Sequence, residues 1–182
     1  MIKTNEKPKV DFIWKLVFGG NSGVGKTCLL HRYLSDEFTK DLGMTIGAQF
    51  DTQFLKRQGY KIILILWDFS GQERFNFILN DYIHGAAGAF IMFDMSCIQT
   101  LSEVSKWAKL IKNNSRKDIP IVLLGGKCDL VSEESMEKIN GIAVRISQEN
   151  ECISYIPTSS LIGSDVNEAI MYMVDYLIAK NA

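Results

Sequence analysis

The sequence has no excess of charge of one sign: 20 Lys and Arg stand against 21 Asp and Glu, for a formal net charge of −1. Such a chain offers nucleic acid or anionic lipid no global field, so any phosphate recognition must be local. It also lacks a long apolar run. The longest, Ile62 to Trp67 and Ala86 to Phe93, fall far short of the roughly 18 residues that span a bilayer, and they read as buried strands. Cysteine pairs are missing too. Cys28, Cys97, Cys128 and Cys152 lie far apart with no Cys-x-x-Cys motif, which argues against a zinc site or a disulfide framework and reads as buried thiols. The start, Met1-Ile2-Lys3-Thr4, has neither a signal-peptide apolar region nor the Met-Gly pair of a myristoylated protein, so an intracellular protein is expected. His31 and His84 have no ligand partners at suitable spacing and read as structural.

What is present is the balance of an ordinary globular domain: 182 residues, 47% hydrophobic and 23% charged. After a polar lead over residues 1–10, apolar runs alternate with segments of helical period through residues 11–180, with no low-complexity linker to divide them. The strand candidates are Phe12 to Phe18, Gln49 to Leu55, Lys61 to Trp67, Ala89 to Asp94, Ile121 to Gly125 and Ile153 to Thr158. Several are solid runs of Ile, Leu, Val and Phe, as in parallel strands covered on both faces. The second and third are too close for a crossover and predict an antiparallel hairpin around Lys56 to Tyr60.

Three helices are legible from their apolar stripes. Thr100 and Glu103 match a capping box before Leu101, Val104, Ala108 and Ile111. Asp165 and Glu168 repeat the pattern before Val166, Ala169, Ile170, Met173 and Leu177. Met136, Ile139, Ala143 and Ile146 mark a third helix, in which Gly141 costs roughly 1 kcal/mol relative to Ala. The expected fold is α/β, with a mostly parallel sheet and a ligand beyond the carboxyl ends of its strands.

The first strand runs into Gly20-Asn21-Ser22-Gly23-Val24-Gly25-Lys26-Thr27, and Cys28-Leu29-Leu30 begins a helix. This is G-x-x-x-x-G-K-T in its required context of strand, loop and helix. Its glycines let backbone N–H groups turn toward phosphate oxygens, and the helix N-terminus adds positive potential. Lys26 is placed to reach the outer phosphates and the Thr27 hydroxyl to ligate Mg²⁺. The motif indicates a nucleoside triphosphate site without specifying the base or the chemistry.

The third strand ends in Trp67-Asp68-Phe69-Ser70-Gly71-Gln72-Glu73. Asp68 is placed to hold Mg²⁺, Gly71 leaves an N–H for a γ-phosphate, and Gln72 can orient an attacking water. Thr45-Ile46-Gly47, before the second strand, can complete the metal shell with a hydroxyl.

On these motifs, in this order and spacing, the chain resembles a small GTPase of the Ras superfamily, most like its Rab-like branch, from about Phe12 to Ile178. The resemblance implies a P-loop NTPase (Ras-like) three-layer fold, with a six-stranded, mostly parallel sheet, one antiparallel edge strand and about five helices. It implies a switch that binds GTP or GDP with Mg²⁺ and hydrolyses GTP, slowly without an activating partner, changing partners through loops near 38–47 and 69–82. Gln72, Lys26 and Gly71 would carry catalysis. Thr27, Thr45 and Asp68 would hold the metal. Nucleotide contacts would come from Ser22, Gly23, Val24, Gly25, Lys26, Thr27, Cys28, Phe38, Thr45, Gly71, Lys127, Asp129, Ser159, Ser160 and Leu161. Phe38 falls where the family stacks an aromatic ring against guanine. Phe50, Trp67 and Tyr82 match the trio on which Rab-like proteins build an effector surface, although the residues alone fit hairpin and core packing equally well.

Three departures stand out. The guanine-reading Asn-Lys-x-Asp appears as Gly126-Lys127-Cys128-Asp129: the selecting carboxylate and the lysine survive, but the asparagine is lost. Ser159-Ser160-Leu161 replaces Ser-Ala-Lys, which keeps the Ser160 N–H for the guanine carbonyl and removes a polar lid over the base. Leu42 and Met44 stand where the family often has tyrosine and proline. No arginine lies in the first switch loop to act in cis, and Arg74 reads as a surface charge.

The expected partners are effectors, exchange factors and activating proteins, with no nucleic acid, and the chain is expected to be a monomer. Its expected place is the cytoplasm, or peripherally on the cytoplasmic face of a membrane. The family's lipidated cysteine lies at or near the C-terminus, whereas the last one here is Cys152. Either a lipidated tail follows or the protein works without that anchor. The alternative reading is a non-hydrolysing, nucleotide-stabilised interaction module (a pseudo-GTPase). A P-loop phosphotransferase would need a lid or acceptor-binding insertion that the sequence does not display.

Overall fold

A computed structural model describes residues 10–39, 42–72 and 76–182. The polar lead through residue 9, and Glu73, Arg74 and Phe75 of the second switch motif, lie outside the described residues.

Among the described residues six strands form one sheet in the order β2-β3-β1-β4-β5-β6. They are β1 (Phe12–Gly19), β2 (Ala48–Arg57), β3 (Tyr60–Phe69), β4 (Gly88–Asp94), β5 (Ile121–Gly126) and β6 (Ser154–Pro157). Only β2 runs antiparallel, paired with β3 from Ala48 opposite Phe69 to Arg57 opposite Tyr60. The hairpin turn is tighter than the five-residue connection suggests. Both strands extend inward until Gln58 and Gly59 remain, with φ of 49° and 86°, the pair of positive values that matches the twist of a two-residue hairpin.

The helices are α1 (Lys26–Ser35), α2 (Asn76–Ile83), α3 (Val104–Asn114), α4 (Glu133–Glu149) and α5 (Val166–Asn181). Successive strand residues point to opposite faces, and each face has its own core. On one, Leu16 and Phe18 of β1, Leu64 and Leu66 of β3, and Phe90 and Met92 of β4 pack against Leu29 and Leu30 of α1 and against Ile170, Met173 and Leu177 of α5. On the other, Val17, Phe69, Ile91, Phe93 and Leu123 pack against Leu79 and Ile83 of α2, Val104, Trp107 and Ile111 of α3, and Ala143 of α4. The result is the three-layer α/β arrangement expected, with every predicted helical stripe facing the sheet.

Two predicted caps are not formed. Thr100 lies inside a 3₁₀ turn, Ile98–Glu103, that precedes α3. Its hydroxyl accepts from the Asp94 N–H at 2.9 Å and donates to the Cys97 carbonyl at 2.7 Å, so it secures the exit from β4 and not a helix start. Asp165 does precede α5, but in a left-handed conformation (φ 55°) with no side-chain cap bond. The cap that forms is Ser132, whose side chain accepts from the Ser135 N–H at the start of α4.

The cysteines also differ from expectation. Cys97 is exposed, and Cys28, Cys128 and Cys152 are only half-buried. They sit at the ends of elements and in turns, not in mid-strand. Burial still pushes the Cys152 thiol up to about 11. Among the described residues no helix is long and apolar enough to cross a membrane.

Candidate functional site

β1 and β3 are parallel and in register, with Phe18 opposite Asp68. The loop after β1 and the end of β3 therefore open at the same sheet edge. Between β1 and α1, the chain turns through residues 20–25 with φ of 80° at Gly23 and 109° at Gly25, the residue that leads into α1. Both values lie where a Cβ is strongly disfavoured. Among the described residues none of the N–H groups from Asn21 to Lys26 donates a hydrogen bond to another protein group. They are unspent donors at a helix N-terminus, the arrangement that favours anions.

Lys26 lies within this loop, 5% exposed. Its ammonium donates to the Gly20 and Asn21 carbonyls at 2.7 and 3.0 Å. Burial pulls its pKa down to about 8, an effect the Asp68 carboxylate partly offsets. A buried ammonium with two carbonyl partners retains one donor direction and a charge that an anion would stabilise.

Thr27, Thr45 and Asp68 meet. Asp68 Oδ2 accepts from Thr27 Oγ1 at 2.5 Å and from Thr45 Oγ1 at 3.0 Å, and the two hydroxyls are 2.9 Å apart. Desolvation raises the pKa of the Asp68 carboxyl, against the lowering by the Thr27 hydrogen bond and then by Lys26. Asp68 Oδ1 is buried with no hydrogen-bond partner among the described residues. A hydroxyl–hydroxyl–carboxylate set with an unsatisfied buried oxygen suits a hard cation such as Mg²⁺, which binds oxygen and keeps several waters. These residues, far apart in sequence, fit the metal that the motif implies.

Gly71 follows directly. A Cβ there would stand 2.1 Å from Ser22 N and 2.2 Å from Asn21 C, so the loop after β3 lies on the phosphate-loop backbone as only glycine permits. Gln72 is half-buried, and its amide donates to Met44 Sδ at 3.7 Å. The loops before β2 and after β3 are joined again by the Ser70 N–H, which donates to the Gly47 carbonyl at 2.8 Å.

The two segments expected to read the base lie beside each other at the ends of β5 and β6. Ser159 is fully buried and its hydroxyl donates to Asp129 Oδ1. The Ser160 N–H has no acceptor among the described residues, as a donor reserved for a base carbonyl would. Lys127 arches over the phosphate loop, its Cε 4.0 Å from where a Gly25 Cβ would be. Its ammonium bonds Asp94 Oδ2 at 2.6 Å. Leu161 is 49% exposed. Phe38 is exposed past the end of α1, and among the described residues no ring contact or hydrogen bond ties it to Lys127 or Asp129.

Sequence reasoning passed over two residues. Asp94 holds Lys127 and also accepts from the Ser96 N–H and hydroxyl. Its signal was an acid at the end of an apolar strand, as Asp68 stands next to the last residue of β3. Trp107 of α3 packs on Gly19 and donates its indole N–H to Asn21 Oδ1 at 3.2 Å. Nothing local marks it, because it reads as one more apolar position on a helix. The aromatic trio forms one stack: Phe50 to Trp67 at 5.0 Å between centroids and Trp67 to Tyr82 at 4.9 Å. Phe50 is 59% exposed.

The Ras family model matches residues 15–179. Among curated proteins, the chain is 33% identical over 180 residues to Ras-related protein Rab-4A of Rattus norvegicus, covering 99% of this chain and 81% of that one. It is 34% identical over 170 residues to Ras-related protein Rab-4B of Homo sapiens, covering 93% and 78%. Against Ras-related protein Rab-10 of Diplobatis ommata it is 33% identical over 174 residues, covering 96% and 86%. With the phosphate loop, the threonine before β2 and the Asp68 to Gln72 segment gathered at one sheet edge, these likenesses are consistent along the whole fold: the chain belongs to the Ras family, on its Rab-like side.

Proposed function

We propose that the protein is a GTP-hydrolysing switch. The observation that carries this reading is the hydrogen-bonded meeting of Thr27, Thr45 and Asp68, with Gly71 lying against Ser22. One point at the sheet edge thus joins the phosphate loop to both loops that would sense a γ-phosphate. Asp129 selects guanine by accepting from the base edge, with Ser159 orienting its carboxylate. Lys26 and the N–H groups of residues 21–26 hold the phosphates. Thr27, Thr45 and Asp68 hold Mg²⁺, which when bound neutralises phosphate oxygens. Gln72 positions water for attack on the γ-phosphorus, the bond to the β-phosphate oxygen breaks, and GDP and inorganic phosphate leave. With the γ-phosphate gone, Thr45 and Gly71 lose a shared partner and the two loops relax.

The output is a change of protein partner. Phe50, Trp67 and Tyr82 support this, since their stack, exposed at Phe50 and half-buried at Trp67 and Tyr82, adjoins both switch loops and aromatic clusters are common binding hot spots. Effectors, exchange factors and an activating protein that supplies an arginine are the expected partners, the last accelerating turnover by roughly 10³–10⁵. The protein acts as a monomer in the cytoplasm or at the cytoplasmic face of a membrane.

Single-turnover phosphate release from the Mg·GTP complex tests the reading. Wild-type release that falls on the order of tenfold or more in Gln72→Leu is the expected result. GTP that stays bound and intact in the wild type, even with a large excess of activating-protein candidates, would overturn hydrolysis.

A further inference from the structure

Two glycines of the site, Gly126 at the end of β5 and Gly25 of the phosphate loop, close on one side chain, Met92 of β4, and a third, Gly20, passes its backbone. A Cβ on Gly126 would lie 2.2 Å from Met92 Cε, and one on Gly25 would lie 3.3 Å from the same methyl. Gly20 passes the backbone of the same residue, its Cβ position 2.3 Å from the Met92 carbonyl. Met92 is 3% exposed and belongs to the core beneath α1 and α5. Gly126 is the last residue of β5, in a backbone conformation that any residue adopts. Conformation therefore does not demand glycine there. The space restricts it instead: the Met92 methyl stands 2.2 Å from the Cβ position and must turn aside for any side chain there.

We propose that Met92 is the positioning residue that ties the base-reading loop to the phosphate loop in this chain, its ε-methyl standing where a side chain at position 126 would lie. Met92 and Gly126 then act as one pair, and a change at either is felt through the other. The nearest acceptor to a side chain at 126 is the Val24 carbonyl, 3.0 Å from the Cβ position. An asparagine there would face that carbonyl across the two loops, but only with the Met92 methyl displaced from its place in the core. A thioether methyl fills volume without direction and swings on three rotatable bonds. It sets the spacing of Gly25 and Gly126 but not their orientation. The pair thus trades a directional link for a slippery one, and guanine nucleotide is released faster than with the directional link restored. The inference rests on the guanine-site reading above.

The test is a double-mutant cycle on the full chain: wild type, Met92→Val, Gly126→Asn and the combination, with Gly126→Ala in both backgrounds as the milder probe. Two readouts are taken: the melting temperature, and the dissociation rate of a fluorescent GDP analogue with Mg²⁺ present. Gly126→Asn and Gly126→Ala alone should melt lower and release nucleotide faster, because the new side chain must displace the Met92 methyl within the core. With Met92→Val, the melting loss should be recovered, and Gly126→Asn should then release nucleotide on the order of tenfold more slowly than wild type. Additive melting shifts, or slow release by Gly126→Asn with Met92 in place, would overturn the pairing. Failure of the wild type to retain any guanine nucleotide would overturn the site reading and the nucleotide half of the proposal, while the melting cycle would still decide the packing half.

Discussion

Gly71 lies so close to Ser22 that a single added carbon would stand 2.1 Å from the serine nitrogen. The obstruction is backbone, which cannot turn aside as a flexible side chain can. Gly71→Ala should therefore lift the loop after β3 away from the phosphate loop while leaving the phosphate loop folded. Phosphate release should slow by about a hundredfold, the typical effect of losing one aligned backbone donor. GDP affinity should stay within about threefold. Parallel single-turnover assays and GDP titrations measure both, and an equal loss in the two would place Gly71 in general binding.

Removing the divalent cation should have a large effect in the wild type and a small one when its carboxylate is gone. EDTA should speed GDP release by about ten- to a hundredfold, the scale of one or two charge-assisted contacts. In Asp68→Ala release should start fast and change little. Stopped-flow fluorescence with and without chelator gives the comparison. Thr45→Ala should act mainly on the GTP form.

The Lys127 to Asp94 pair is a buried carboxylate held by a half-buried ammonium at 2.6 Å. Lys127→Met leaves Asp94, among the described residues, with only the Ser96 N–H and hydroxyl as donors, at an expected loss of about 1–3 kcal/mol in urea unfolding. Changing both residues, Lys127→Met with Asp94→Leu, should recover part of that loss. A single variant as stable as wild type would show that the pair contributes nothing.

The β2–β3 hairpin is pinned to α5 by Asp175, which accepts from Arg57 Nε and Nη2 at 2.8 and 2.6 Å and from Gln58 Nε2 at 2.9 Å. The Arg57 hydrogen bonds, with its charge, hold the Asp175 carboxyl below its usual range. A carboxylate with a lowered folded pKa adds stability above its unfolded pKa and loses it as pH falls through the folded value. At pH 7, Asp175→Asn should melt up to about 3 °C lower, as suits an exposed pair. The gap should close as the pH is taken below the carboxylate range, and thermal melts across pH 2 to 7 would reveal it.

Some of this was legible in sequence and some was not. Gly20 to Thr27 could be read directly because a phosphate loop is contiguous: its glycines, lysine and threonine are neighbours in the chain as in space. The apolar stripes of α3, α4 and α5 were legible because helical period and sheet contact impose them locally. Local patterns also misled. Thr100 with Glu103 and Asp165 with Glu168 match a capping box in spacing, but a 3₁₀ turn and a left-handed residue intervene, and neither is encoded by four residues alone. The cysteines, apolar by type, were expected inside and lie instead at element ends.

The sequence by itself determined the strands, most of their helical covers but not α2, the phosphate loop and the family, because each depends on residues close together in the chain or on motifs in fixed order. Only the tertiary structure decided which distant groups touch. The parallel register of β1 and β3 brings Asp68 to Thr27, 41 residues away, and β4 beside β5 puts Lys127 on Asp94 and Met92 against Gly126. Trp107 reaches Asn21 across 86 residues. Such contacts follow from strand order and packing volume, which no short stretch of chain specifies.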